Sequence, residues 1–342
     1  AQRNARSRAC PVFTGSLSAM NRRVPLLVPF LALVQVFAAC SSASVPAPTP
    51  PPASISTSTT SPEAPAANPS STTTSTPTTT LPPLDVTDDA AMRRMLDDLE
   101  VLLVNGPREG GTEAEKSAAR FIRTTLTSLG LAVQGESVPL PGGATSENLW
   151  VTFGDGPVAV MIGGHYDTVR TSPGADDNGS GVVGLLELVR RLNREPITGV
   201  TVTVVFFGAE ERTFGMSSDD HHYGSRLRGA TLAQAGELPD WMISLDMVGS
   251  THPVTGVSLT GTDQAAVDML VAAGASVDME IERLERGEIS DHATFAKLGV
   301  PSVFVWRPGN PEYHTDADDV VDGPTLVENL VLIQAALESL SG

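Results

Sequence analysis

Apolar positions from residue 112 onward alternate between helical and strand-like spacing. The segment "TEAEKSAARFIRTTLTSLG" has one apolar helical face, begins with a capping box of Thr112 and Glu115, and ends at Gly130. Apolar runs such as "VTVTVVFF" and "PSVFVW" are typical of strands buried on both faces. The pattern predicts strands over 131–138, 147–153, 157–163, 199–207, 241–246 and 301–306, and helices over 112–130, 180–193, 263–274, 291–298 and 324–340.

The alternation of these strands with helices predicts an α/β fold. Continuous apolar strands need cover above and below, because both faces of such a strand must be kept from water. We therefore expect a single α/β domain over residues 85–342, with a mixed, mostly parallel twisted sheet and helices on both faces.

The segment before this domain has the layout of an export signal. "MNRRVPLLVPFLALVQVFAAC", from Met20 to Cys40, has a basic start, an apolar run and small residues before the cysteine. The cysteine after two alanines resembles a bacterial lipobox, which implies cleavage before Cys40 and a lipid on its sulfur. We interpret residues 1–39 as upstream residues and a signal peptide, with a buried helix as the alternative.

Residues 40–84 form the predicted link between lipid and domain. From Ser41 onward they are mainly Ser, Thr, Pro and Ala, with Glu63 as the one charged residue and no aromatic residue. Such a composition cannot bury enough apolar surface to fold. It predicts a lipidated cysteine and a disordered tether of on the order of 100 Å when extended. We expect an exported protein, either a cell-envelope lipoprotein anchored through Cys40 on the outer side of the membrane or a secreted one.

Charge and cysteine content narrow the possible partners and cross-links. The formal net charge is -18, which argues against nucleic acid because phosphates would be repelled. The two cysteines, Cys10 and Cys40, both precede the predicted domain. The domain is therefore expected to fold without an internal disulfide.

Histidines and acids follow four of the predicted strands. Open α/β sheets bind ligands beyond the carboxyl ends of their strands, so these side chains should converge at one edge of the sheet. The polar residues concerned are His165, Asp167, Asp177, Glu210, Glu211, Asp246 and His314.

This set of side chains suits a pair of metal ions. Zinc takes imidazole nitrogen and carboxylate oxygen, and two histidines with three carboxylates exceed what one open zinc site needs. They suit two ions ~3.5–4 Å apart that share a carboxylate and a water. Glu210 and Glu211 are adjacent and point different ways, so one can hold metal while the other acts as general base.

Six short motifs in order resemble those of the secreted di-zinc aminopeptidase family, which also includes glutamate carboxypeptidases and glutaminyl cyclases. They are "HYDT", "GADDNGSG", "FGAEE", "LDMVG", "SDHATF" and "YHTDAD". The resemblance covers roughly residues 108–340 and implies a zinc-exopeptidase-like fold. It also implies that two Zn²⁺ ions bind per chain.

The resemblance implies a division of the ligands between the two ions. His165 and Asp246 would bind one zinc, Glu211 and His314 would bind the other, and Asp177 would bridge them.

It further implies the roles of the remaining site residues. Glu210 would be the general acid/base, and Asp167 would orient His165. Tyr313 would donate a hydrogen bond to the tetrahedral oxyanion. The peptide bond between Asp177 and Asn178 would be cis.

One segment departs from the family pattern. The family commonly reaches a Gly-Ser pair within a few residues of the two glutamates, whereas "RTFGMSSDDHHY" precedes Gly224 here. We expect a loop near the cleft, with His221 and His222 as surface histidines. Asp176 is expected to be a solvated turn residue. For Asp291 and Asp318 two interpretations stay open, a structural one as helix or turn caps and a functional one at the site.

The sequence predicts hydrolysis of the N-terminal peptide bond of peptides with a free amino terminus. A zinc carboxypeptidase or deacylase is the first alternative, with Arg212 or Arg307 holding the substrate carboxylate. A glutaminyl cyclase is less consistent with a complete five-ligand set. A further alternative, from another class, is an inactive peptidase-like binding lipoprotein.

Overall fold

The computed structural model describes residues 88–212 and 220–341. The predicted signal peptide and tether lie outside these residues. The helices are α1 (Asp89–Leu103), α2 (Glu113–Ser128), α3 (Gly181–Arg194), α4 (Tyr223–Ala235), α5 (Ala265–Ser276), α6 (His292–Lys297) and α7 (Gly323–Ser339). The strands are β1 (Gln134–Pro139), β2 (Thr145–Phe153), β3 (Val158–His165), β4 (Val200–Phe207), β5 (Trp241–Leu245), β6 (Thr255–Leu259), β7 (Glu282–Arg286) and β8 (Ser302–Trp306).

The eight strands form one sheet in the order β1-β2-β4-β3-β5-β8-β6-β7. The four central strands β4, β3, β5 and β8 are mutually parallel. β2 pairs antiparallel with β4 and β1, and β6 pairs antiparallel with β8 and parallel with β7. This architecture confirms the predicted mixed, mostly parallel α/β sheet.

Alternate residues of the central strands face two separate apolar cores, as the two-residue period of a strand requires. Val160 and Ile162 of β3 belong to the larger core, to which α1, α2, α3, α5 and α7 contribute. Met161 belongs to a smaller core with Leu232 of α4 and Phe295 of α6. Helices therefore cover both faces of the sheet, as predicted.

The N-terminus of α2 uses its predicted cap in a modified form. The Thr112 hydroxyl accepts a hydrogen bond from the Glu115 main-chain N–H at 3.3 Å, as in a capping box. The Glu115 carboxylate instead accepts from the N–H of Gly111 and from the hydroxyl of Ser146. This carboxylate thus joins the start of α2 to the sheet.

Four elements were not predicted: α1, α4, β6 and β7. β7 has the sequence "ERLER" and an exposed edge position, so no apolar alternation marks it as a strand. α4 has a weak apolar face, and β6 is short and contains Gly256. α1 buries Met95, Leu99 and Leu102 at helical spacing, so the apolar pattern of its sequence does indicate a helix there. The first strand begins at Gln134 rather than at residue 131.

Across the part of the chain that the structure describes, no helix has both the length and the apolarity to cross a membrane.

Candidate metal centre

The carboxyl ends of the four parallel strands meet at one edge of the sheet. β3 ends at His165, and β5 is followed directly by Asp246. The turn after β4 carries Glu210 and Glu211, and the loop after β8 carries His314. These side chains line a cleft of about 610 Å³. The predicted convergence is therefore present in the folded chain.

The carboxylate of Asp177 lies between the two histidines. Its Oδ1 is 3.4 Å from Nε2 of His165, and its Oδ2 is 3.2 Å from Nε2 of His314. Each histidine has a second acid beside it: Asp246 Oδ1 is 3.4 Å from His165 Nε2, and Glu211 Oε1 is 3.3 Å from His314 Nε2. Each histidine thus lies between the carboxylate of Asp177 and a second acid, and we refer to these two groups as the half-sites.

The atoms of these half-sites fit zinc. Oδ1 of Asp246 and Nε2 of His314 are buried and make no hydrogen bond, and such buried polar atoms are normally satisfied. Ligand atoms of His165, Asp177 and Glu211 all lie within 4.8 Å of one another. Imidazole nitrogens and carboxylate oxygens in this proportion are the donors that zinc takes.

The acidic side chains around His165 and His314 make the site favour positive charge. Burial lowers the pKa of His314, but the carboxylates of Asp177 and Glu211 outweigh burial and raise that pKa to about 10. Burial likewise opposes the charged form of His165, and Asp246 and Glu210 raise its pKa well above the usual value. The acids thus favour positive charge at both imidazoles, and bound cations would supply that charge in place of protons.

Asp318, in the loop after β8, holds the main chain of Asp177 in the loop between β3 and α3. Oδ1 and Oδ2 of Asp318 accept hydrogen bonds from the N–H groups of Asp176 and Asp177 at 3.0 and 3.2 Å. The peptide bond between Asp177 and Asn178 is cis, as the resemblance implied. The Asn178 side chain donates to the Leu245 carbonyl at 2.9 Å, next to Asp246.

Asp176 is not the solvated turn residue that the sequence suggested. It is 3% exposed, and its Oδ1 accepts a hydrogen bond from the Gly249 N–H at 2.7 Å. Burial raises the pKa of its carboxyl to about 7. The sequence motif could not reveal this contact, because it joins the loop after β3 to the loop after β5.

The carboxylate of Asp167 connects the first histidine to the pair of glutamates. It accepts hydrogen bonds from the N–H groups of Glu210 and Glu211, and its Oδ1 lies 3.5 Å from Nδ1 of His165. The same nitrogen lies 3.2 Å from the Asp167 main-chain carbonyl. Asp167 therefore contacts His165 through two oxygens while it also holds the turn after β4.

Glu210 is buried beside the two half-sites and contacts a histidine of the insertion. Its Oε1 is 2.5 Å from Nε2 of His222. Burial raises the pKa of Glu210 to about 8 and lowers the pKa of His222 to about 4. The prediction of surface histidines at 221 and 222 is wrong, since both side chains are buried.

Tyr313 lines the cleft and stacks on His314, with ring centroids 3.7 Å apart. Tyr313 is 49% exposed, and the partial burial of its side chain, together with the charge of Asp177, raises the pKa of its hydroxyl, which stays protonated.

Asp291 precedes α6 but makes no side-chain capping hydrogen bond. Burial raises the pKa of its carboxyl to about 7.

The two arginines considered as carboxylate clamps differ in their surroundings. Arg307 is buried and donates to Asn329, to the His252 carbonyl and to Glu328. Arg212 is exposed and lines the cleft. Arg212 is therefore the better placed of the two to meet a substrate.

Arg108, for which no motif indicates a role, is fully buried behind the site. Its guanidinium donates to the main-chain carbonyls of Tyr166, Pro173 and Gly174. Burial lowers its pKa to about 10, so it stays charged at neutral pH. Arg108 thus holds the loop that carries Asp177, and it lies outside the motifs that drew attention to the site.

The family comparison matches residues 148–330 to peptidase family M28. Among curated relatives, the chain is 28% identical to the uncharacterized protein YfbL of Escherichia coli, over 59% of this chain and 72% of YfbL. It is 32% identical to the aminopeptidase YwaD of Bacillus subtilis, over 48% and 36% of the two chains. A probable lipoprotein aminopeptidase, LpqL of Mycobacterium tuberculosis, is 26% identical over 64% and 51%. The chain thus spans about half or less of YwaD and LpqL.

Solved structures share the fold at lower identity. An aminopeptidase from Aneurinibacillus sp. strain AM-1 superposes with a TM-score of 0.63 at 20% identity, over 73% of this chain and 93% of that one. A glutaminyl cyclase from an Acidobacteriales bacterium superposes with a TM-score of 0.66 at 20% identity, over 78% and 98%. The family match extends over more than half of the chain and includes all the strands that form the site. The chain therefore belongs to peptidase family M28.

Proposed function

We propose that this chain is a zinc-dependent aminopeptidase that binds two ions through His165, Asp177, Glu211, Asp246 and His314. The observation that carries the proposal is the shared carboxylate of Asp177, whose two oxygens each approach a different histidine. A second acid beside each histidine completes the two half-sites. The names of YwaD and LpqL support the same activity.

Glu210 is the proposed general base. Zinc ions bound at the two half-sites would polarise the substrate carbonyl and make water easier to deprotonate. Glu210 is buried next to both half-sites but belongs to neither. Zinc ions bound there would favour the ionised form of its carboxyl group, which could then take the proton of the attacking water. It then passes that proton to the leaving amine. The phenol of Tyr313 would donate to the oxyanion, and Asp167 would orient His165.

The proposed substrates are peptides with a free amino terminus. The proposed zinc ions would offset the three ligand carboxylates, which leaves Glu210 and Glu288 in the cleft lining to attract an ammonium group and repel a carboxylate. Arg307 is occupied by Asn329 and Glu328, which argues against its use as a carboxylate clamp. A carboxypeptidase remains the alternative, because Arg212 lines the same cleft and could hold a substrate carboxylate there.

We also propose the organisation that the sequence indicates outside the described residues. Residues 1–39 would be removed with the signal peptide, residues 40–84 would tether the chain through a lipid on Cys40, and residues 85–342 would form the peptidase domain. The name of LpqL, a probable lipoprotein aminopeptidase, supports this reading.

Matched peptides test the substrate proposal directly. One peptide is compared with its N-acetylated form and with its C-terminal amide, using zinc-loaded protein. Cleavage that is lost on acetylation and kept on amidation supports an aminopeptidase. The opposite result transfers the proposal to a carboxypeptidase, in which Arg212→Gln should then raise KM. Absence of turnover in a chain that holds two zinc ions would favour the binding lipoprotein.

A further inference from the structure

The insertion that follows Glu210 and Glu211 places a buried histidine, His222, against the proposed base Glu210. Nε2 of His222 lies 2.5 Å from Oε1 of Glu210. The two residues are 2% and 8% exposed, so little water competes for this contact. A neutral imidazole carries one N–H, and an Nε2–H at this position can donate to Oε1 of an ionised Glu210.

The main chain also attaches this histidine to the turn of the glutamates. The His222 N–H donates to the Glu210 carbonyl at 2.7 Å, and the Tyr223 N–H donates to the Ala209 carbonyl at 2.9 Å. His222 and Ala209 have φ values of 56° and 55°, which L-residues rarely adopt. Such conformations persist only where surrounding contacts enforce them, and they cluster at functional sites. The two segments are thus held together in one defined arrangement.

The ring of His222 has little freedom to rotate away. The His221 ring packs edge-on against it, with centroids 3.9 Å apart. Its Nε2 is therefore presented to Glu210 by packing as well as by the main chain. This contact lies in the segment where the chain departs from the family pattern.

We propose that His222 is a positioning residue for Glu210, an inference that rests on the proposed role of Glu210 as base. Asp167 fixes the Glu210 main chain through a 2.9 Å hydrogen bond, but the glutamate side chain has three further rotatable bonds. His222 holds the far end by donating from Nε2 to Oε1. Oε2 then remains to accept the proton of the water.

This arrangement has a kinetic consequence. A general base acts only within hydrogen-bond reach of the proton that it removes, and misplacement by about 1 Å can cost on the order of 10²-fold in rate. Loss of the His222 donor should therefore lower kcat through Glu210. It should leave metal binding and KM nearly unchanged, because none of the contacts that His222 makes within the described part of the chain involves the five proposed ligands.

Two substitutions of similar length separate the hydrogen bond from the packing. His222→Gln keeps a side-chain N–H donor, whereas His222→Met fills similar space without one. We expect His222→Met to lose about 10- to 100-fold in kcat with two zinc ions still bound and an unchanged melting temperature. His222→Gln should lie closer to wild type than to His222→Met. If His222→Met fails to fold, His222→Phe replaces it as a buried ring without a donor.

A double-mutant cycle tests whether His222 acts through Glu210. If it does, Glu210→Gln combined with His222→Met should be no slower than Glu210→Gln alone. The proposal would be overturned if the two substitutions together lowered kcat by the product of their separate effects. It would also be overturned by a wild-type kcat in zinc-loaded His222→Met, or by equal losses of kcat in His222→Gln and His222→Met. Loss of zinc together with activity would also overturn it, because the role would then be structural. A fully active Glu210→Gln variant would instead refute the assignment of the base.

Discussion

The main-chain N–H of Glu210 donates a 2.9 Å hydrogen bond to the carboxylate of Asp167, although 43 residues separate them in the sequence. Both are buried, and the second oxygen of the same carboxylate accepts from the N–H of Glu211. One aspartate thus aligns a proposed base and a proposed zinc ligand against the strand that carries His165. The role of Asp167 therefore extends beyond orienting that histidine.

Replacement of Asp167 by Asn tests this alignment. Asparagine has one acceptor oxygen for two N–H groups, so one buried donor loses its partner at a cost of about 1–3 kcal/mol. We expect a matching loss in the free energy of unfolding by urea and at least about a 10-fold loss in kcat. Asp155→Asn, on an exposed turn, is the control. Wild-type stability and turnover in Asp167→Asn would show that the carboxylate is dispensable.

Glu210→Gln tests the proposed base. The amide cannot accept the proton of water, while the five proposed ligands remain, so two zinc ions should still bind. Turnover should fall by at least ~10²-fold, the lower end of what a positioned general base contributes. Zinc content by mass spectrometry and kcat on the same sample provide the measurement. A zinc-loaded variant with normal turnover would remove Glu210 from the mechanism.

Zinc stoichiometry tests the two half-sites. Chelation should abolish activity, and titration with zinc should restore it at about two ions per chain. His314→Ala should lower the stoichiometry to about one, because it removes a ligand from one half-site and leaves the other complete. His252→Ala, an exposed histidine, is the control. Full activity in a metal-free chain, or one ion at saturation in the wild type, would contradict this arrangement.

Glu115 should make stability depend on pH. Burial raises its pKa from the ordinary value of 4.5 to about 8. Between these values the folded chain keeps a proton that the unfolded chain releases, so its contribution to stability is lost as pH rises. Relative to wild type, Glu115→Gln should gain about 2 °C or more in melting temperature between pH 5 and pH 8. The exposed Glu100→Gln variant is the control. If the melting temperature of Glu115→Gln followed that of wild type in parallel from pH 5 to pH 8, the raised pKa of Glu115 would be disproved.

Cys40→Ser tests the proposed anchor in cells. The lipid would be carried on the sulfur, so the variant should leave the membrane fraction or accumulate unprocessed. Membrane fractionation and the mass of the mature N-terminus measure both outcomes. Cys10→Ser is the matched control and should behave as wild type. Mature protein that is soluble with or without Cys40 would replace the anchor with simple secretion.

The sequence by itself determined the architecture and the kind of site. Strand and helix periods depend on near neighbours, and they predicted the central strands and most of the helices that pack on them. Because those strands are parallel, the residues that follow them must reach the same edge of the sheet. The sequence alone therefore predicted that His165 and Asp246 lie close together. The charged edge strand β7 escaped prediction because its sequence has no apolar alternation.

Only the tertiary structure decided which groups meet. Asp177 lies between His165 and His314 because of the register of three strands and the loops between them. Arg108 and His222 carry no sequence signal of their roles, since a lone basic residue in a polar stretch is usually exposed. Their burial depends on packing against carbonyls and carboxylates from distant segments of the chain. Local patterns report the neighbours of a residue in sequence, whereas contacts of this kind depend on the complete fold.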